Sequence, residues 1–170
     1  MKGVVFVIIL SLWVFQISPV IAENEAVFSP EGGIKETLLK EMESTTSTLD
    51  LAIHEMTSPD LAQGLLKAKQ RGVKVRIIAD SKQAKIKSSQ ITSLIHQGVQ
   101  VKVLGGKGKG VMNHRFAVFD GKRVVTGSCD WSNASEKRNY ENLIILRDSE
   151  VVSSYQKEFD RLWREKRIIK

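Results

Sequence analysis

Met112-Asn113-His114-Arg115-Phe116-Ala117-Val118-Phe119-Asp120, followed a short way on by Gly127-Ser128-Cys129-Asp130-Trp131-Ser132, is the stretch on which the fold turns. Residues 111–119 and 123–126 read as two strands, joined by a turn at Asp120-Gly121. Successive side chains of a strand point to opposite faces. Asn113 and Arg115 therefore share one face, and His114 takes the other with Phe116 and Val118. A hairpin at this place argues against a purely parallel sheet.

Working outward, strand and helix signals alternate. Residues 26–28 form a short strand closed by Ser29-Pro30 and Gly32-Gly33. Residues 34–44 carry Ile34, Leu38, Leu39 and Met42 as a helical stripe. Residues 49–56 alternate Leu49, Leu51 and Ile53 against Asp50, Ala52 and His54, as a strand does. Ser58 and Pro59 supply an N-cap and a first helical position. That helix carries Leu61, Leu65, Leu66 and Ala68 and stops at Arg71-Gly72. Strands at 73–79, 99–104 and 142–146, a helix at 88–97 and a closing amphipathic helix at 151–166 complete the order. The pattern predicts an α/β sandwich, a mixed central sheet with helices on both faces.

With 170 residues, one domain is expected; 42% hydrophobic and 26% charged residues are ordinary globular composition. The first 22 residues read as a secretory signal peptide: Lys2, an apolar run over 4–15, and Val20-Ile21-Ala22 at the cleavage positions. An uncleaved anchor is the alternative, although the run is shorter than the roughly 20 residues of a spanning helix. The expectation is an exported chain, periplasmic or secreted, whose domain occupies 23–170. A formal charge of +7 favours polyanionic partners, nucleic acid or anionic lipid headgroups. Cys129 is the single cysteine, so no internal disulfide forms; a buried thiol, a reactive one and an intermolecular bridge stay open. His54 and His96 lack metal-ligand spacing. The loop over 105–110, four glycines with Lys107 and Lys109 set among them, is no nucleotide-binding P-loop, because it opens a strand and lacks the Ser/Thr after Gly-Lys. It reads as a basic flank suited to a polyanion backbone.

The two quoted stretches resemble the phospholipase D superfamily, whose motif is His-x-Lys, four residues, Asp, and soon after Gly-Ser-x-Asn. Phe28-Ser29-Pro30, Thr57-Ser58-Pro59, Arg71-Gly72-Val73-Lys74-Val75, Tyr140-Glu141-Asn142 and the Phe159-x-x-Leu162-Trp163 ending are similar to its single-motif bacterial nucleases. The resemblance implies a homodimer in which two chains share one active site. It implies metal-independent phosphodiester hydrolysis without a cofactor: one histidine attacks phosphorus, the partner's histidine protonates the leaving oxygen, and water resolves a phosphohistidine. Lysine and asparagine hold the phosphate oxygens.

On this resemblance Asn113 stands at the family's histidine position, Arg115 at its lysine and Asp130 at its asparagine, while Asp120, Ser128 and Glu141 match. A carboxamide nitrogen has no available lone pair and does not titrate near neutrality, so Asn113 is neither nucleophile nor general acid. Arg115 keeps the charge with a different geometry. Asp130 exchanges a donor for an anion beside the expected phosphate. His114 is a candidate substitute only if a bulge turns it round. Three readings follow: a nuclease-like phosphodiesterase, a nucleic-acid-binding or phosphate-binding pseudoenzyme, and a phospholipid headgroup hydrolase.

Overall fold

The computed structural model describes residues 24–166; the expected signal peptide lies outside them. The elements are β1 (Glu25–Ser29), α1 (Ile34–Ser44), β2 (Thr48–Ile53), α2 (Pro59–Gln70), β3 (Lys74–Asp80), α3 (Ile91–His96), β4 (Gln100–Leu104), β5 (Arg115–Phe119), β6 (Arg123–Gly127), α4 (Asn133–Lys137), β7 (Glu141–Leu146) and α5 (Ser149–Arg164). The strands form one sheet in the order β1-β7-β6-β5-β2-β3-β4. The β2–β3 and β3–β4 pairs are parallel and the others antiparallel, which is the mixed sheet expected.

Strand alternation sorts the core into two layers. Leu49, Leu51, Ile53, Ile77, Ala117 and Phe119 face a cluster that includes Leu38 and Met42 of α1 and Leu61 and Leu65 of α2. Ala52, Ile78, Phe116, Val118 and Val124 face Val152 and Phe159 of α5. Helices therefore cover both faces. Two differences from the sequence reading bear on the site. β5 begins at Arg115, because residues 112–114 form no ladder and Val111 makes only an isolated bridge with Gly105. The five-residue α4 was not expected; Ser132 caps it by accepting from Ser135 N.

Asp50, only 2% exposed, lies on the α5 face of β2. Arg76 of β3 grips it with two hydrogen bonds of 2.7 and 2.6 Å and reaches Asp160 of α5 at 3.1 Å. Its guanidinium also lies 4.9 Å from the Phe159 ring centre, and Gln156 of α5 donates to Asp50 at 2.8 Å. This network satisfies a buried carboxylate and fixes α5 against the sheet.

Asp120 and Gly121 form the β5–β6 turn, both at positive φ (53° and 62°), as a tight hairpin requires. The Asp120 carboxylate accepts from Thr46 N at 3.0 Å, Ser47 N at 2.7 Å, Thr48 N at 3.0 Å and Ser47 Oγ at 2.8 Å. Burial pushes this carboxyl up, but the opposing backbone and hydroxyl bonds outweigh it and hold it well below the ordinary carboxylate range. A depressed folded-state value adds stability that is complete above the unfolded value, roughly 3.9, and drains away as pH falls below it. Asp120→Asn keeps the left-handed turn available and removes the charge. It is expected to cost on the order of 2 kcal/mol at pH 7. Urea melts at pH 7 and pH 3 should show the gap between parent and variant narrowing at the lower pH.

Candidate active site

Two pinned loops build the site at the end of the sheet where β5 begins and β6 ends. Gly127 closes β6 against β7 so tightly that a Cβ there would lie 2.1 Å from Asn142 O. The chain after it, at Asp130 and Trp131, is tied to the chain after β2. Glu55 N donates to Asp130 Oδ1 at 3.0 Å, Trp131 N to Glu55 O at 3.1 Å, and Thr57 N and Ser58 N to Trp131 O at 3.0 and 2.9 Å.

Asn113, Arg115 and Asp130 meet here. Arg115 Nη2 donates to Asp130 Oδ2 at 2.9 Å, and Nη1 donates to Asn113 Oδ1 at 3.1 Å. Arg115 Nε is buried with no acceptor. The Arg115 and Asp130 side chains are 21% and 14% exposed. Ser128 and Glu141 form the second half. Ser128 Oγ donates to Glu141 Oε2 and accepts from Asn142 N at 3.1 Å. Glu141 Oε1 accepts from Asn139 Nδ2 at 3.1 Å and Ser135 Oγ at 3.3 Å, and Glu141 N donates to Ser29 Oγ at 3.2 Å. Between the halves sits the buried Cys129. Burial first, then the charges of Glu141, Asp130 and Glu136, push its thiol up to about 12, so it stays protonated and is a poor nucleophile.

His114 turns away from Asn113 and Arg115. Its ring packs edge-on against Phe116, and Nε2 lies 3.3 Å from Glu158 of α5. The alternation read from sequence holds even though residues 113 and 114 precede the ladder. His54 places Nδ1 3.3 Å from Met112 O, and since a carbonyl only accepts, that nitrogen carries the proton. Asp120 is not brought to this cluster. It stands at the opposite end of β5 from Arg115, and its carboxylate is consumed by the chain leading into β2, so its role is structural.

Glu55, Ser29, Ser135 and Asn139 join the site although no role was expected for them. Two signals pointed their way: Phe28-Ser29-Pro30 and Thr57-Ser58-Pro59 were part of the resemblance, and the structure places both beside the motif. Among the described residues, no group of three or more His, Cys, Asp or Glu is placed to hold a metal ion.

Residues 38–163 match the family described as cardiolipin synthase, PLD-like domain. The chain is 40% identical over 128 residues to a mitochondrial cardiolipin hydrolase of Xenopus laevis, covering 75% of this chain and 60% of that protein. It is 36% identical to the mitochondrial cardiolipin hydrolase of Mus musculus, covering 75% of this chain and 57% of that protein. It thus spans little more than half the length of these curated relatives. NucT from Helicobacter pylori superposes with a TM-score of 0.74 at 27% identity, covering 82% of this chain and 94% of that one. The relatives correct one expectation: proteins named as mitochondrial enzymes overturn the periplasmic or secreted destination read from the first residues. Motif spacing, sheet order and these matches agree that the chain belongs to the phospholipase D superfamily, as a single-motif domain related to bacterial nucleases and cardiolipin hydrolases.

Proposed function

We propose that this domain is a phosphodiesterase-like protein that grips the phosphodiester backbone of nucleic acid and hydrolyses it weakly or not at all. One observation carries the reading: the side-chain partners of Arg115 are Asn113 and Asp130, while His114 is engaged with Glu158 on the other face. The Asn113 amide is neither nucleophile nor acid, and the Asp130 carboxylate has one oxygen bonded by Glu55 N and the other by Arg115, so neither is presented to attack phosphorus or to protonate a leaving oxygen. Binding is supported by charge. Lys107 and Lys109 project from a closed loop in which Gly106 N bonds Gly110 O at 3.0 Å and Gly110 N bonds Lys107 O at 3.1 Å. This loop borders a cleft of about 620 Å³ that Asn113, His114 and Arg161 also line. Pairing of two chains is part of the same proposal; Phe28 and Tyr140, 60% and 93% exposed, flank Ser29 and Glu141 and offer an apolar face for it.

A second reading is favoured by the names of the relatives: the phosphodiester of an anionic lipid headgroup in place of that of a nucleic acid. Vesicles with and without cardiolipin, compared in a flotation assay, separate the two.

Incubation with single-stranded and duplex DNA and RNA in chelator should give binding without cleavage between pH 5 and 9. Rapid cleavage by homogeneous protein would remove the proposal. The binding constant should fall steeply with salt, and Lys107→Ala with Lys109→Ala should reduce the log–log slope by about two. The triple variant Asn113→His, Arg115→Lys, Asp130→Asn should raise hydrolysis of a chromogenic phosphodiester at least about a hundredfold, because a lost nucleophile elsewhere has cost on the order of 10⁶ in turnover. In sedimentation velocity the parent should run as a dimer and Phe28→Glu with Tyr140→Glu as a monomer.

A further inference from the structure

The Arg115 guanidinium is built into the site as an oxyanion grip would be, yet it already holds an oxyanion. Nη2 binds Asp130 Oδ2, Nη1 binds Asn113 Oδ1 and, at 3.4 Å, Asn113 O, and Nε is buried without an acceptor. A carboxylate presents two oxygens to an arginine much as a phosphate does. Asp130 is not free to swing aside. Its other oxygen is held by Glu55 N at 3.0 Å, and the next residue donates to Glu55 O at 3.1 Å. Displacing its side chain would take from Glu55 N the acceptor it has there, beside backbone bonds that already fix the loop.

We infer that Asp130 is a built-in occupant of the phosphate subsite, holding Arg115 and closing that position to external phosphate. An incoming phosphate meets a cation already neutralised and, beside it, a fixed carboxylate of its own sign. Asparagine at this position would reverse both effects with little change of shape. Its oxygen keeps the bond from Glu55 N, and its amide replaces Oδ2, so that donors from residues 115 and 130 converge on one vacant spot. Asp130 is thereby a specificity-determining residue. It excludes small phosphates from the motif while the lysine loop remains available to a long polyanion. The nucleic-acid contacts proposed above do not pass through Asp130, so the two claims can fail separately.

Inorganic phosphate is the probe, measured by isothermal titration calorimetry and by the guanidinium N–H resonances of Arg115. The parent should show no saturable binding in the millimolar range, with the Arg115 resonances unmoved. Asp130→Asn, checked for folding by its thermal melt, should bind phosphate at least about tenfold more tightly than the parent. Adding Arg115→Gln to that variant should abolish the gain. Saturable movement of the Arg115 resonances in the parent overturns the inference, and so does a folded Asp130→Asn that binds no better. If Asp130→Asn does not fold, the parent titration alone decides.

Discussion

The pleat of the chain entering β5 sets what the motif can present. Consecutive residues of an extended chain look to opposite faces, so Asn113 and Arg115 reach Asp130 while His114 between them is delivered to α5. Without a local bulge ahead of β5, moving His114 into the cluster would require a one-residue slip. That slip would also carry Phe116 and Val118 out of the α5 core, where they are 3% and 1% exposed. Removing two large apolar side chains from a packed layer costs several kcal/mol, far more than one histidine contact returns. The register of the core and the contacts with Phe116 and Glu158 thus keep the imidazole next to the motif on the α5 side.

The residues that do meet form a balanced set. Arg115 alone would leave a half-buried cation without a counterion; Asp130 alone would leave a half-buried anion. Together they cancel, and Asn113 and Glu55 N take up further hydrogen-bonding capacity. Removing either member of such a pair leaves an uncompensated charge out of full contact with water, which is the costly event, whereas replacing both is tolerated. This coupling gives the arginine and the aspartate a common physical reason. Each is awkward by itself out of full contact with water, and each relieves the other.

The fold was legible because its signals are periodic and local: two-residue alternation in β2 and β5, the Ser58-Pro59 start of α2, and the Asp120-Gly121 hairpin turn. The face of His114 was legible for the same reason. The site was only partly legible. Spacing along the chain brought Asn113, Arg115, Ser128, Asp130 and Glu141 together on paper, but it could not show that Arg115 and Asp130 bind one another, since their contact is made across the sheet end by loops. Nor could it separate Asp120 from the others. A motif aspartate is the same letter whether it faces a substrate or, as here, six hydrogen bonds from residues 46–48. The short α4 escaped because five residues with no apolar stripe carry no helical period. The compartment was misread for a different reason: an apolar leader is a matter of composition, and the relatives speak against the destination it suggested.

The scaffold and the chemistry of this domain are carried by different residues. The bonds that hold the layers together run through Arg76 and Asp50, through Asp120 and the entry to β2, and through the close approach at Gly127. None of these ties involves the side chains of Asn113, Arg115 or Asp130, although Asp130 pins its own loop through Glu55 N. Residues at the motif can therefore change without loosening the sheet, provided that charge stays balanced among them and residue 130 keeps an oxygen for Glu55 N. A superfamily domain built in this way can retain its sheet order, its pinned loops and its Ser128–Glu141 pair while the motif side chains vary among groups that satisfy one another.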